Sequence, residues 1–152
     1  MGAYGRDMFE YHGWISVNAD WGDDDDTGPL PENDPVIRDV LAWLREELAT
    51  WPYLAQVAWT NGELHVHVGG FTNHRGTFGD HLENLFIEVG RRARGSYGLL
   101  HVHDDEDPDE TRANEFVTFS LARGQFRRHR DVFLSPVIPT IEDAWVEPED
   151  RV

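Results

Sequence analysis

The chain of 152 residues carries 29 acidic residues against 13 basic ones, a formal net charge of −16, and 39% of its residues are hydrophobic. This composition predicts one globular domain spanning residues 1–152, and the charge disfavours binding to nucleic acid or anionic membranes while it favours a basic protein partner. The absence of cysteine excludes disulfides, thiolate zinc sites and cysteine nucleophiles, and no run of about 18 apolar residues predicts a transmembrane helix.

The first elements are a strand, an acidic loop and a helix. Alternating apolar residues predict a strand over 9–18, with Trp14 on the face opposite to the apolar side chains. A polar loop follows, in which four aspartates occupy 23–26. Asp34 followed by a proline is typical of a helix start, because the carboxylate caps free N–H groups and proline favours the first turn. We expect this helix to end before Pro52.

A β-hairpin is the clearest local pattern in the chain. Asn61-Gly62 favours a type I′ turn, since both central residues of that turn need a positive φ. The flanking strands are predicted at 54–60 and 63–69. On the second strand, His65 and His67 face away from the apolar residues.

The second half predicts a helix and three strands. Apolar residues at helical spacing predict the helix over 79–93. The next strand is "SYGLLHVH", and a second hairpin follows around Arg123-Gly124. A proline-rich segment ends the chain. The order β-α-β-β-α-β-β-β predicts an α+β fold, a mainly antiparallel sheet with two helices on one face.

Two pairs of histidines raise the possibility of a metal site. His65 and His67 lie on one strand, and His101 and His103 lie on another. Four imidazoles would converge only if those strands paired in register, and neutral histidine binds Zn²⁺ well. A small metal-binding protein or metal-dependent enzyme therefore stays open as the alternative function. Motifs for a nucleophile elbow, a P-loop, a zinc protease helix and a dinucleotide fold are all missing from the sequence.

Dense acidic clusters favour recognition of a basic protein instead. Six acids in seven residues on a hydrated loop suit charge steering better than acid–base catalysis, which needs a buried carboxyl group. The predicted partner-binding residues belong to two clusters: Asp104, Asp105, Glu106 and Asp107, and Asp23, Asp24, Asp25 and Asp26.

Several specific strings carry a family resemblance. They are "MFEYHGW", "FTNHR", "GSYGLLHVHDDED", "NEFVTFSLARG" and "FLSPVIPTIED", and they occur in this order. With them the chain, from Met8 to about Asp143, resembles the immunity protein 7 family of bacterial polymorphic toxin systems. The resemblance implies an α+β antidote that binds and neutralises a cognate toxin, and it implies neither enzymatic activity nor a cofactor.

Charge and resemblance together lead to a specific expectation. We expect the partner to be the C-terminal domain of a basic toxin, a nuclease, whose active site the acidic residues cover. The N-terminal sequence lacks the pattern of a signal peptide, so we expect a cytoplasmic protein, either a monomer or a homodimer. The resemblance transfers no toxin-contacting residue to a position of this chain.

Overall fold

A computed structural model describes residues 8–20, 28–109, 113 and 115–134. The elements are β1 (Phe9–Val17), a 3-10 turn (Pro31–Asn33), α1 (Pro35–Ala49), β2 (Leu54–Thr60), β3 (Glu63–Thr72), α2 (Gly76–Arg92), β4 (Tyr97–Asp104), β5 (Phe116–Ala122) and β6 (Gln125–Arg130). This order confirms the predicted α+β fold. The proline-rich segment from residue 135 onward lies outside the described residues.

The described strands form one antiparallel sheet in the order β2-β3-β1-β4-β5-β6. β3 and β4 both run antiparallel to β1, so they are parallel to each other and α2 connects them. A helix about 10 Å wide covers roughly two strand spacings, which leaves room for β1 between the strands it joins. None of the helices in the described part of the chain is long and apolar enough to cross a membrane.

The core lies between the two helices and one face of the sheet. β1 alternates as predicted, with Phe9, Tyr11, Ile15 and Val17 fully buried. Both helices contribute an apolar stripe to the same cluster, made of Ile37, Val40, Leu44, Leu48, Leu82, Leu85, Phe86 and Val89. The opposite face of the sheet carries no helix in the described part of the chain.

Local signals set the ends of several elements. One oxygen of Asp34 accepts hydrogen bonds from the N–H groups of Val36 (2.8 Å) and Ile37 (3.4 Å), which confirms the predicted cap. Asn61 and Gly62 have φ of 51° and 80°, as the predicted hairpin turn requires. The second hairpin also turns where expected, at Arg123-Gly124.

Two predicted boundaries are wrong by three residues. β3 continues to Thr72 because it pairs with β1 from Leu64 to Thr72. α2 begins at Gly76, three residues before the expected start, and the N–H of Gly79 donates to the carbonyl oxygen of Arg75 at 2.9 Å. The Arg75 side chain packs across the bare backbone of Gly79, where a Cβ would lie 2.3 Å from its Cγ. Gly76 and Gly79 weaken the helical pattern in the sequence, because glycine has a low helix propensity. The packing of Arg75 on Gly79 nevertheless favours the first turn of α2.

Candidate functional site

The predicted acidic loop is a tight turn anchored to the start of β1. β4 ends at Asp104, and the N–H of Asp107 donates to its carbonyl oxygen at 3.2 Å. The N–H of Asp105 donates to the carbonyl oxygen of Met8, and the N–H of Met8 donates back to the Asp105 carboxylate at 2.8 Å. These two bonds fix the turn against the beginning of β1, an interior strand of the sheet. We call residues 104–107 the DDED turn.

The other carboxylates of the DDED turn also make internal contacts. Asp104 accepts from the N–H of Glu106 at 3.1 Å. Glu106 pairs with Nδ1 of His74, before α2. Asp107 accepts from the N–H of Asp109 at 2.9 Å and lies 3.5 Å from the guanidinium of Arg128 on β6. The turn therefore presents its charges on a fixed backbone.

Two carboxylates of the turn lie in unfavourable surroundings. Burial raises the pKa of Asp104, and the neighbouring carboxylates of Asp107, Asp105 and Glu106 raise it further against the lowering effect of its backbone hydrogen bond. The second oxygen of Asp105 is buried and has no hydrogen-bond partner within the described residues. Neither side chain forms an ion pair with a basic residue in that part of the chain. A cation placed beside the turn would relieve this repulsion.

Asp104 and Asp107 of the DDED turn line one wall of a groove with a volume of about 740 Å³. The groove lies on the helix-bearing face of the sheet, between the start of α2 and strands β5 and β6. Its described lining comprises five acids, Glu83, Asp104, Asp107, Asp109 and Glu115, two arginines, Arg75 and Arg128, and the residues Val102, Pro108, Val117 and Phe119. Acids outnumber arginines five to two above an apolar floor, which suits a cationic side chain with an aliphatic stem. We call this feature the acidic groove.

The two arginines of the acidic groove organise its walls. Arg75 pairs with Asp80 at 2.9 Å and with Glu83 at 3.2 Å. Burial lowers the pKa of the Arg75 guanidinium, but these two pairs outweigh burial and leave the pKa raised. Arg128 lies 6.0 Å from the ring centroid of Phe119 while it approaches Asp107. Both arginines thus hold acidic side chains in place and reduce the local charge only in part.

The second predicted cluster, Asp23 to Asp26, lies outside the described residues, as does Glu110. Among the described residues, the structure brings the DDED turn together with two acids from outside the predicted clusters, Glu83 and Glu115. Arg128 also lines the acidic groove and was not among the predicted partner-binding residues. The alternation of side chains along β6 is the sequence signal that places Arg128 beside the groove, since Phe126, Arg128 and Arg130 lie on the same face of the sheet as Phe119.

The four histidines do not converge, because the strands that carry them are not paired. β1 lies between β3 and β4, so His65 and His67 are separated from His101 and His103 by a whole strand. His103 is buried, and its Nε2 donates to the carbonyl oxygen of Ala113 at 3.0 Å.

His101 has contacts of its own. Its Nδ1 lies 3.3 Å from the Asp131 carboxylate and 3.2 Å from the Thr118 hydroxyl. Across residues 8–20, 28–109, 113 and 115–134, no three metal-binding side chains come together.

Comparison with known proteins gives one result. A family model described as immunity protein 7 matches residues 8–143, which include every described element. Neither the curated proteins nor the solved structures contain a significant match. Because the family match covers most of the chain, the protein belongs to the immunity protein 7 family, and its function is immunity to a toxin.

Proposed function

We propose that this protein neutralises the C-terminal domain of a basic toxin, a nuclease, by covering the active site of that domain with the acidic groove. The single observation that carries this proposal is the groove itself, in which five acids surround an apolar floor. A nuclease holds phosphates with arginine and lysine side chains, and carboxylates can occupy the same positions. The protein would act in the cytoplasm of the producing cell, without a cofactor.

The chemistry of the acidic groove matches such a partner in two respects. Its carboxylates attract cations over several ångströms, and the net charge of −16 extends this field beyond the groove. Val102, Val117 and Phe119 provide apolar surface for the aliphatic part of an arginine or lysine. The same surface repels phosphate, so nucleic acid is a poor competitor for it.

The test is binding to the toxin domain encoded beside this gene, measured at low and at physiological salt. Changing the four acids of the DDED turn to Asn or Gln should slow association about tenfold at low salt and flatten its salt dependence. The variant should also protect cells less well against the toxin.

A matched control removes four charges elsewhere. Glu32, Asp39, Glu46 and Glu63 are exposed and lie on the 3-10 turn, α1 and β3. Amide substitutions at these four positions change the net charge by the same amount as the DDED variant does. Because none of the four residues lines the acidic groove, these substitutions should leave most of the affinity intact. Equal effects of both variants would mean that net charge alone governs association. Unchanged association and protection in the DDED variant would exclude the turn from the interface.

A further inference from the structure

The two edges of the described sheet differ in charge. β6, at one edge, has the sequence QFRRHR with three arginines. β2, at the other edge, has the sequence LAQVAWT, without a charged residue or a proline. Edge strands of soluble proteins are usually protected by charge, by proline or by a covering element, because their free N–H and C=O groups pair readily with another strand. Only β6 shows such protection by charge.

β2 also presents apolar side chains at this edge. Leu54 is 68% exposed and Trp59 is 38% exposed. Within the described part of the chain, β3 is the only strand that pairs with β2. Seven residues thus offer an uncharged backbone edge on a protein with a net charge of −16.

We propose that β2 pairs antiparallel with β2 of a second copy of this chain. Two copies that each carry a charge of −16 repel one another, so a contact between them needs a surface free of charge. β2 provides that surface. Its sequence is also self-complementary about Val57, because Ala55 then faces Trp59 of the other copy and Gln56 faces Ala58. Small side chains meet larger ones on each face of the joined sheet.

The dimer leaves the acidic groove accessible. β2 and β6 lie at opposite edges of the sheet, five strand spacings or about 24 Å apart. Each copy would keep its groove on the outer side of the joined sheet. The proposal therefore does not depend on the proposed function, and it predicts self-association in the absence of toxin.

The test is the mass of the purified full chain in solution, measured by light scattering and sedimentation up to about 100 µM. We expect twice the 17.5 kDa of one chain. The double variant Gln56→Lys/Ala58→Lys places like charges opposite each other in two symmetric pairs, and it should weaken the dimer about tenfold. The variant Gln56→Glu/Ala58→Lys places opposite charges in the same pairs and should restore the dimer.

The variant Gln56→Glu/Ala58→Lys separates loss of the dimer from loss of the fold, because both variants alter the same two positions. Circular dichroism on each variant checks that the fold is kept. A wild-type protein that stays monomeric would overturn the proposal. This includes the case in which the β2 edge is covered only by added toxin and not by a second copy of the chain. A dimer that both variants leave unchanged, or that the Glu/Lys variant fails to restore, would overturn the β2 pairing.

Discussion

Asp104→Asn should stabilise the free protein at neutral pH while it weakens binding to the toxin. The pKa of Asp104 is raised because its carboxylate is partly buried and lies beside the carboxylates of Asp107, Asp105 and Glu106. Its ionised form is therefore less favourable in the folded chain than in the unfolded chain. Asparagine keeps the oxygen that accepts the hydrogen bond from Glu106 and removes the charge.

The size of the gain follows from the geometry of the turn. Side chains within a four-residue turn lie roughly 7 Å apart, where two charges repel by about 0.6 kcal/mol in water. Salt at physiological strength reduces each repulsion to about 0.25 kcal/mol. Three neighbouring carboxylates then contribute about 0.7 kcal/mol, and partial burial adds to this. We expect the variant to gain about 0.5–1 kcal/mol in the free energy of unfolding.

Urea unfolding followed by circular dichroism, repeated across pH, measures this gain. Below about pH 4 both forms of residue 104 are neutral, so wild type and variant should differ little. As pH rises through the raised pKa, the wild type ionises at a cost and the difference should grow to its full value. A variant that is less stable at pH 7, or a difference that does not change with pH, would refute the reasoning.

Two further predictions concern the fold. Gly98→Ala should cost more than about 2 kcal/mol in thermal unfolding, because its Cβ would lie 2.1 Å from a carbonyl oxygen of β1. As the control, a Cβ at Gly28 meets no atom of the described residues within 4 Å, so Gly28→Ala should be nearly neutral. Burial raises the pKa of Asp131, but hydrogen bonds from the N–H groups of Leu134 and Phe133, together with those to Thr118 and His101, outweigh burial and hold the pKa below its usual range. Asp131→Asn should therefore cost about 1 kcal/mol at neutral pH, and this deficit should shrink as pH falls below about 4; a deficit constant with pH would contradict the pKa argument.

Local chemistry explains why most of the fold is predictable from sequence. The positive φ of Asn61 and Gly62 and the Asp34 cap depend on neighbours within a few residues. Alternation along β1 is likewise visible in one stretch, and it assigns Trp14 correctly to the face where it meets Tyr97 at 5.9 Å between ring centroids. Such signals do not require knowledge of the rest of the chain.

Strand order is not encoded locally, and the metal hypothesis failed for that reason. Nothing within β3 or β4 indicates that β1 separates them. The information lies in the connection, since α2 joins two parallel strands and its width spans two strand spacings. A helix of 17 residues joins the two strands, and such a crossover is compatible with parallel strands that are direct neighbours as well as with strands that enclose a third.

The acidic groove was predictable only in part. The DDED turn stands out in the sequence as a run of acids, but its partners are remote: Met8 lies 97 residues from Asp105, and His74 lies 32 residues from Glu106. Long-range contacts of this kind turn a hydrated run of charges into a fixed wall. The apolar floor and Arg128 appear only when β5 and β6 are placed beside β4.

These remote contacts bear on how the DDED turn would function. A flexible acidic loop would lose conformational entropy when it bound a toxin, at a cost of about 1 kcal/mol for each ordered side chain. In this chain the contacts with Met8, His74 and Arg128 have ordered the turn during folding. The charge repulsion left within it would be relieved by a cation of the proposed partner, which would favour the complex over the free protein. Under the proposed function, the strain at Asp104 and the rigidity of the turn would thus both promote binding of a basic partner.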